Sequence, residues 1–174
     1  MTCLTEGNLE FRFDSDAAHC DEWAFYRNQF QNVAGGSKAV DFICLDGVGT
    51  WLIEVKDYRV HPRVKPSCLC DEVAIKVRDT IAGIAAARCN ANDPDEKEVA
   101  KRVLRKNKWL IVLHLEQPGF RSRIRPRVIA RADVVQKLKR LLKAIDAHPK
   151  VVDKDCIAGN MCWTVVSLPV VSAP

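Results

Sequence analysis

The sequence lacks any apolar run of the roughly 18–20 residues that a membrane-spanning helix needs. Its first residues include Glu6 and Glu10 and contain no apolar segment, so we expect no secretory signal. These absences predict a cytoplasmic protein that has no contact with a membrane. Hydrophobic residues nevertheless make up 48% of the 174 positions, which is enough for the core of one domain spanning residues 1–174.

The sequence also lacks the paired Cys-x-x-Cys motifs of structural zinc sites, although it contains eight cysteines. Cys68 and Cys70 form the one closely spaced pair. Without a secretory signal, we expect these cysteines to be reduced thiols rather than a disulfide framework. Internal repeats and low-complexity tracts are absent too, which excludes a repeat architecture.

Acidic residues are missing from two basic stretches, and the formal net charge is +5. Residues 101–108 hold five basic side chains, and Arg121, Arg123 and Arg125 follow at alternate positions. If that second stretch is a strand, its arginines point to one side and form a basic stripe. Such clusters suit a phosphate backbone, and the alternative is a solvated charged face.

Charged residues occur inside two segments that otherwise have the composition of buried strands. Asp41 lies in the apolar segment 39–45, and Glu54 and Lys56 lie in the apolar segment 50–56. The intervening Asp-Gly-Val-Gly predicts a tight turn, because glycine tolerates the positive φ of hairpin turns. A hairpin that is symmetric about this turn places Asp41 opposite Glu54, with Cβ atoms about 4.5–5.5 Å apart. Lys56 then shares the face of Glu54.

Two carboxylates that close repel one another, so positive charge should lie between them. Lys56 can supply part of it, and Mg²⁺, which one or two carboxylates commonly bind together with water and phosphate, can supply the rest. A structural ion pair between Lys56 and either carboxylate is the alternative interpretation.

The spacing of Asp41 and Glu54-Val55-Lys56 resembles the PD-(D/E)xK, or restriction endonuclease-like, nuclease superfamily. The segment from Trp51 to Arg59 is especially similar to Holliday junction resolvases and NERD domains, although Val40 replaces the proline of the motif. The resemblance covers residues 16–59.

The resemblance implies an α/β fold with a mixed central sheet flanked by helices, and a nuclease that hydrolyses DNA. It assigns Mg²⁺, or Mn²⁺ in its place, to Asp41, Glu54 and the carbonyl of Val55, and it gives Lys56 a catalytic role. It also adds Glu22 as a third acidic residue and leaves a homodimer open. Two alternatives remain: a non-catalytic module that binds DNA or protein, and a structural subunit in which a basic side chain bridges the carboxylates.

Hydrophobic periodicity predicts the remaining elements. We expect a first helix that begins at Ser15-Asp16 and carries Glu22, and further helices over 67–89, 95–107 and 132–147. Strands are predicted over 108–115 and 161–168. Arg59 and Lys76 are additional candidates for contact with nucleic acid.

Overall fold

A five-stranded mixed sheet forms the centre of the fold. The structure, a computed structural model, describes residues 1–61, 63–118, 129–157 and 159–169. The strand order is β3-β4-β5-β6-β7, in which β3 to β5 are antiparallel and β5 to β7 are parallel. These strands are β3 (Asp16–His19), β4 (Phe42–Leu45), β5 (Thr50–Asp57), β6 (Trp109–Glu116) and β7 (Lys150–Val152).

A second, three-stranded antiparallel sheet packs on one face of the first. It has the order β1-β2-β8 and consists of β1 (Thr2–Glu6), β2 (Leu9–Phe13) and β8 (Trp163–Ser167). Leu9, Phe11 and Phe13 of β2 alternate with polar residues and are fully buried. Their side chains form an apolar layer with Trp51 and Ile53 of β5. This period of two is what one buried sheet face requires.

Three α-helices cover the opposite face of the central sheet. They are α1 (Leu69–Asn90), α2 (Pro94–Leu104) and α3 (Arg131–Leu142). Asp93 caps α2 by accepting hydrogen bonds from the backbone amides of Asp95 and Glu96. Val73, Val77 and Ile84 of α1 recur at helical spacing and are buried against the sheet.

Strand β5 lies between these two apolar layers, so side chains on both of its faces are buried. Trp51, Ile53 and Val55 point toward the three-stranded sheet. Leu52 points toward the helices, and Glu54 shares its face because side chains alternate along a strand. The fold therefore directs Glu54 toward α1.

The mixed α/β architecture confirms the predicted fold class. The helices predicted over 67–89, 95–107 and 132–147 and the strands over 108–115 and 161–168 are present, with bounds that differ by up to five residues. The second sheet was not predicted. Within the described ranges, no helix is long and apolar enough to cross a membrane.

The predicted first helix is wrong. Residues 16–19 form the edge strand β3, in which Ala17 and Ala18 pair with Cys44 and Ile43. Helical backbone appears later, as a π-helical turn at Tyr26–Phe30 and a 3-10 turn at Val33–Gly35. Pairing with the exposed edge of β4 satisfies backbone groups that the helical pattern would have satisfied locally, so tertiary context overrides local propensity here.

Candidate functional site

The β4–β5 hairpin has the register that the sequence predicts. Phe42 pairs with Ile53 and Leu45 pairs with Thr50. The same register, continued one residue past the ladder, places Asp41 opposite Glu54. Both carboxylates contact the same atom, Nζ of Lys76, which confirms that they point to the same side of the sheet.

The turn reaches this register by a different route from the one expected. Neither Gly47 nor Gly49 has a positive φ. Asp46 closes the turn instead, because its Oδ1 accepts hydrogen bonds from the amides of Val48 at 2.7 Å and Gly49 at 2.9 Å. Gly49 is required for space, since a Cβ there would lie 2.5 Å from the carbonyl oxygen of Lys108.

Replacing Asp46 by alanine should destabilise the protein by about 1–3 kcal/mol, because Asp46 Oδ2 also accepts a 2.7 Å hydrogen bond from the indole of buried Trp51. Asp46→Asn keeps the acceptor for the two turn amides but places an amide nitrogen, which cannot accept, toward the indole N–H of Trp51. It should therefore lose less stability than Asp46→Ala, and urea unfolding of both variants measures the difference. Equal losses in the two variants would show that the hydrogen bonds to the turn amides do not stabilise the hairpin.

Asp41, Glu54, Lys56 and Lys76 form one compact polar cluster, which we call the acid–lysine centre. Lys76 Nζ lies 3.2 Å from Asp41 Oδ1 and 2.7 Å from Glu54 Oε1. Lys56 Nζ contacts the same Glu54 oxygen. Asp41 Oδ2 accepts a 2.6 Å hydrogen bond from the amide of Val55, which anchors Asp41 to the neighbouring strand.

The two carboxylates are buried, and the two ammonium groups connect them to the surface. Glu54 is 1% exposed and Asp41 is 6% exposed, whereas the side chains of Lys76 and Lys56 are 21% and 24% exposed. Buried charges of this kind are tolerated when they are paired and hydrogen-bonded. The lysines can therefore present positive charge to a ligand that the carboxylates cannot reach directly.

Burial and the neighbouring charges raise the pKa values of both Glu54 and Lys76 above their ordinary values. Burial and, next, repulsion from Asp41 raise the pKa of Glu54 to about 7, against the opposing attraction of Lys56 and Lys76. Burial alone would lower the pKa of Lys76, but the attraction of Glu54 and Asp41 outweighs it and raises that pKa. Below about pH 7 the centre thus favours a bound proton on Glu54, and Lys76 keeps its positive charge.

The predicted metal ligands lie together, but an ammonium group lies between them. Asp41, Glu54 and the carbonyl of Val55 are oxygen ligands of the kind that Mg²⁺ accepts. Lys76 bridges the two carboxylates, and Lys56 Nζ donates to the Val55 carbonyl at 3.1 Å. In the part of the chain that is described, no group of three or more His, Cys, Asp or Glu could hold a metal ion. A cation would have to displace Lys76, and its binding stays a prediction.

Two further acidic residues, Asp21 and Glu6, lie near the centre, and neither is among the site residues that the sequence predicts. Burial and then repulsion from Asp41 raise the pKa of both Asp21 and Glu6. Asp21 Oδ1 is buried and has no hydrogen-bond partner among the described residues. The nuclease resemblance indicates Glu22 and not its neighbour Asp21, and no sequence pattern marks Asp21.

Lys76 was predicted as a nucleic-acid contact, not as the bridge between the carboxylates. It lies on α1 within one turn of the buried residues Val73, Val77 and Thr80. This flanking position was the available signal, since a lysine beside a buried helical stripe packs its stem along the apolar surface and brings its ammonium group to the rim of the buried face. Its contact with nucleic acid stays a prediction.

Glu22 and Arg59 have their closest ionic contacts outside the centre. Glu22 is exposed in a turn and lies 3.8 Å from Arg27. Arg59 is held by Asp57 through two guanidinium nitrogens, and it donates to Ser167 of β8. These hydrogen bonds link the two sheets. A phosphate that binds Arg59 would have to compete with Asp57 and Ser167 for the guanidinium group.

Several residues of the basic stretches are also engaged within the protein. Lys101 pairs with Glu98, and Arg102 pairs with Asp16. Lys106 donates to the carbonyl of Asp46. Arg121, Arg123 and Arg125 lie outside the described residues, so the basic stripe stays a prediction.

Comparison with known proteins identifies similarity to a tRNA ligase and not to a nuclease. The chain is 32% identical, over an alignment 175 residues long, to a cysteine–tRNA ligase of Neisseria meningitidis serogroup A / serotype 4A (strain DSM 15465 / Z2491). The alignment covers 82% of this chain and 25% of the ligase, so the chain spans about a quarter of the length of that relative. No family model matches the sequence, and no solved structure matches it.

This finding overturns the predicted membership of the PD-(D/E)xK superfamily and the predicted nuclease and hydrolase activity. The non-catalytic nuclease-fold alternative is not supported either. The reason lies in the shortness of the motif. One aspartate and a Glu-x-Lys on a hairpin also satisfy the needs of a buried ion-pair network, which is what Lys76 completes here. The matched relative is by its name an enzyme, a ligase.

Proposed function

We propose that this chain is the tRNA-binding unit of a tRNA-dependent enzyme. The similarity to a cysteine–tRNA ligase over 82% of the chain carries this proposal. Because the chain corresponds to a quarter of that ligase, we assign it contact with tRNA and not aminoacylation by itself. Its net charge of +5 supports attraction to a polyanion. The cytoplasmic location predicted from the sequence suits this partner.

The acid–lysine centre supplies the polar contacts of the proposed unit. Lys76 and Lys56 are partly exposed and are already positioned by the carboxylates beneath them. An ammonium group held in place loses less side-chain entropy when a phosphate binds than a freely rotating one does. Mg²⁺ at Asp41 and Glu54, with Mn²⁺ as a substitute, is retained as an alternative state of the centre, in which the cation takes the place of the Lys76 ammonium group and tRNA phosphates complete its coordination.

The proposal makes tRNA the preferred nucleic acid, whereas the sequence alone predicted DNA. Binding to unfractionated tRNA and to duplex DNA of similar length should be compared by fluorescence anisotropy at a series of salt concentrations. We expect binding to tRNA to be at least about tenfold tighter at about 150 mM salt, a difference of about 1.4 kcal/mol. A parallel assay with cysteine, ATP and tRNA should detect no aminoacylation by the isolated chain.

The salt series separates specific from general attraction. Affinity for any polyanion falls with salt, but a preference for tRNA should persist where non-specific binding is screened. Equal affinity for duplex DNA at every salt concentration, or no binding of tRNA, would overturn the proposed function. Aminoacylation by the chain alone would overturn the statement that this chain contacts tRNA without aminoacylating it.

A further inference from the structure

An open cleft of about 470 Å³ lies beside the acid–lysine centre. Lys76 belongs to both, since it bridges the buried carboxylates and also lines the cleft. The cleft is lined mainly by polar and aromatic side chains from the segment between β3 and β4: Asp21, Tyr26, Arg27, Gln31 and Lys38. Its volume is in the range of sites for ligands of nucleotide size.

The wall of the cleft carries three cationic groups, from Arg27, Lys38 and Lys76, against one carboxylate from Asp21. Lys76 is already paired with Asp41 and Glu54, so Lys38 and Arg27 are the cations most available to a ligand. Lys38 is exposed, and none of the salt bridges among the described residues engages it. The Arg27 guanidinium lies 3.8 Å from exposed Glu22, which is a weak surface contact. This balance of charge favours an anionic ligand, and Arg and Lys are the usual contacts of phosphate groups.

Three further side chains of the cleft, Tyr26, Gln31 and Asp21, restrict the kind of anionic ligand that can bind. Tyr26 supplies an aromatic ring that is held in place, because its hydroxyl donates to the carbonyl of Ser37 at 2.8 Å. Gln31 supplies an amide that can donate and accept. Asp21 is partly buried and lines the cleft, and its Oδ1 has no partner among the described residues. Its carboxylate is therefore the acceptor on this wall for a hydrogen-bond donor of a ligand.

We infer that this cleft holds an unpaired ribonucleotide of the RNA partner. Its phosphate would contact Lys38 and Arg27, and its base would stack on the ring of Tyr26. A hydroxyl or amino group of the ribonucleotide would donate to Asp21. Sequence-tolerant stacking on aromatic side chains is the common way of binding unpaired bases, and the 2′-hydroxyl is the donor that distinguishes RNA from DNA.

The inference rests on the proposed function and deepens it by naming the part of tRNA that reaches this site. A base within a duplex is already stacked and paired, so it cannot lie against Tyr26. The cleft should therefore prefer single-stranded RNA, such as a loop or a free end. Lys76, at the boundary, would contact the same RNA segment from the acid–lysine centre.

Affinity measurements with short oligonucleotides test this inference. The probes are one single-stranded RNA, the same sequence as single-stranded DNA, and the RNA annealed to its complement. We expect the wild-type chain to prefer the single-stranded RNA. Tyr26→Leu should weaken its binding by about 5- to 150-fold, the range for losing one aromatic stacking contact. Tyr26→Phe keeps the ring but loses the hydrogen bond to Ser37 that holds it in place, so its affinity should lie between those of Tyr26→Leu and the wild type.

Variants of Lys38 and Asp21 test the phosphate contact and the hydroxyl or amino contact separately. Lys38→Ala should reduce affinity and lower the slope of log affinity against log salt by about 0.7, the value for one phosphate contact on a single strand. Lys139→Ala, which removes an exposed lysine of α3, should change neither. Asp21→Asn should reduce the preference for RNA over DNA. Lys38 is exposed, so its variant stays informative even if Tyr26→Leu fails to fold.

The outcomes distinguish this inference from the proposed function. If tRNA binds but Tyr26→Leu and Lys38→Ala both bind like the wild type, the cleft is not the site and the proposed function stands. If duplex RNA or single-stranded DNA binds as tightly as single-stranded RNA, the assignment to an unpaired ribonucleotide is wrong. If the wild type binds no tRNA, the proposed function fails.

Discussion

Replacing Lys76 by methionine should lower the free energy of unfolding by about 3–5 kcal/mol, the usual cost of removing one partner from a buried ion pair. Lys76 is the group that contacts both buried carboxylates. Without it, Asp41 and Glu54 face each other with only Lys56 on the Glu54 side to offset their repulsion. Methionine preserves most of the length and apolar contact of the lysine stem, so the loss reports on charge. Urea or thermal unfolding measures it.

Two comparisons sharpen this prediction. Lys139→Met removes an exposed lysine of α3 and should change stability by less than about 0.5 kcal/mol. Combining Lys76→Met with Glu54→Gln should recover part of the loss, because one of the unpaired charges is removed. If Lys76→Met is as stable as Lys139→Met, the ammonium group does not stabilise the carboxylate pair.

The same variant bears on the predicted metal site. A divalent cation should stabilise Lys76→Met more than the wild type, because the cation no longer competes with the ammonium group for Asp41 and Glu54. The shift in melting temperature with added Mn²⁺ measures this through binding linkage. An equal shift in both proteins would contradict binding at these two carboxylates.

Glu54→Gln should remove a pH dependence of stability worth about 3 kcal/mol. The pKa of Glu54 is raised from 4.5 to about 7 in the folded protein, and each pKa unit corresponds to about 1.4 kcal/mol. The folded state therefore binds more protons than the unfolded state between these two values. It follows that the wild-type free energy of unfolding falls as the pH rises from about 4.5 to about 7. Glutamine cannot ionise, so the variant should lack this fall.

Measurements at about pH 4 and about pH 8 are the most informative, because they lie on either side of the titration. The free energy of unfolding of each protein is measured at both pH values. The value for Glu54→Gln minus the value for the wild type should be larger at about pH 8 than at about pH 4. Glu98→Gln, at an exposed position that pairs with Lys101, controls for the loss of any glutamate. A difference between Glu54→Gln and wild type that is the same at both pH values would show that the pKa of Glu54 is not raised.

The hairpin and the long helices could be predicted from local patterns, because their determinants are close in sequence. The two apolar runs in residues 39–56 and the short turn between them fix which side chains face each other. The opposing position of Asp41 and Glu54 followed from the register alone. The apolar spacing of α1 likewise defined its buried face. Such features depend on backbone geometry that each segment carries by itself.

The rest depended on contacts between distant segments. Lys76 reaches Glu54 only because α1 packs on the helix-facing side of β5. Asp21 approaches the centre because residues 16–19 pair as an edge strand instead of forming a helix. The nuclease hypothesis failed for a related reason, since a motif of three charged residues does not reveal whether a fourth side chain completes an ion-pair network.

Crosslinking followed by mass spectrometry maps where tRNA contacts the protein. We expect ultraviolet irradiation of the complex to attach RNA to peptides that contain Tyr26, Lys38 or Lys76. An excess of unlabelled single-stranded RNA should remove these crosslinks. Crosslinks confined to other surfaces, such as the exposed face of α3, would contradict the assignment of tRNA binding to the acid–lysine centre and its cleft.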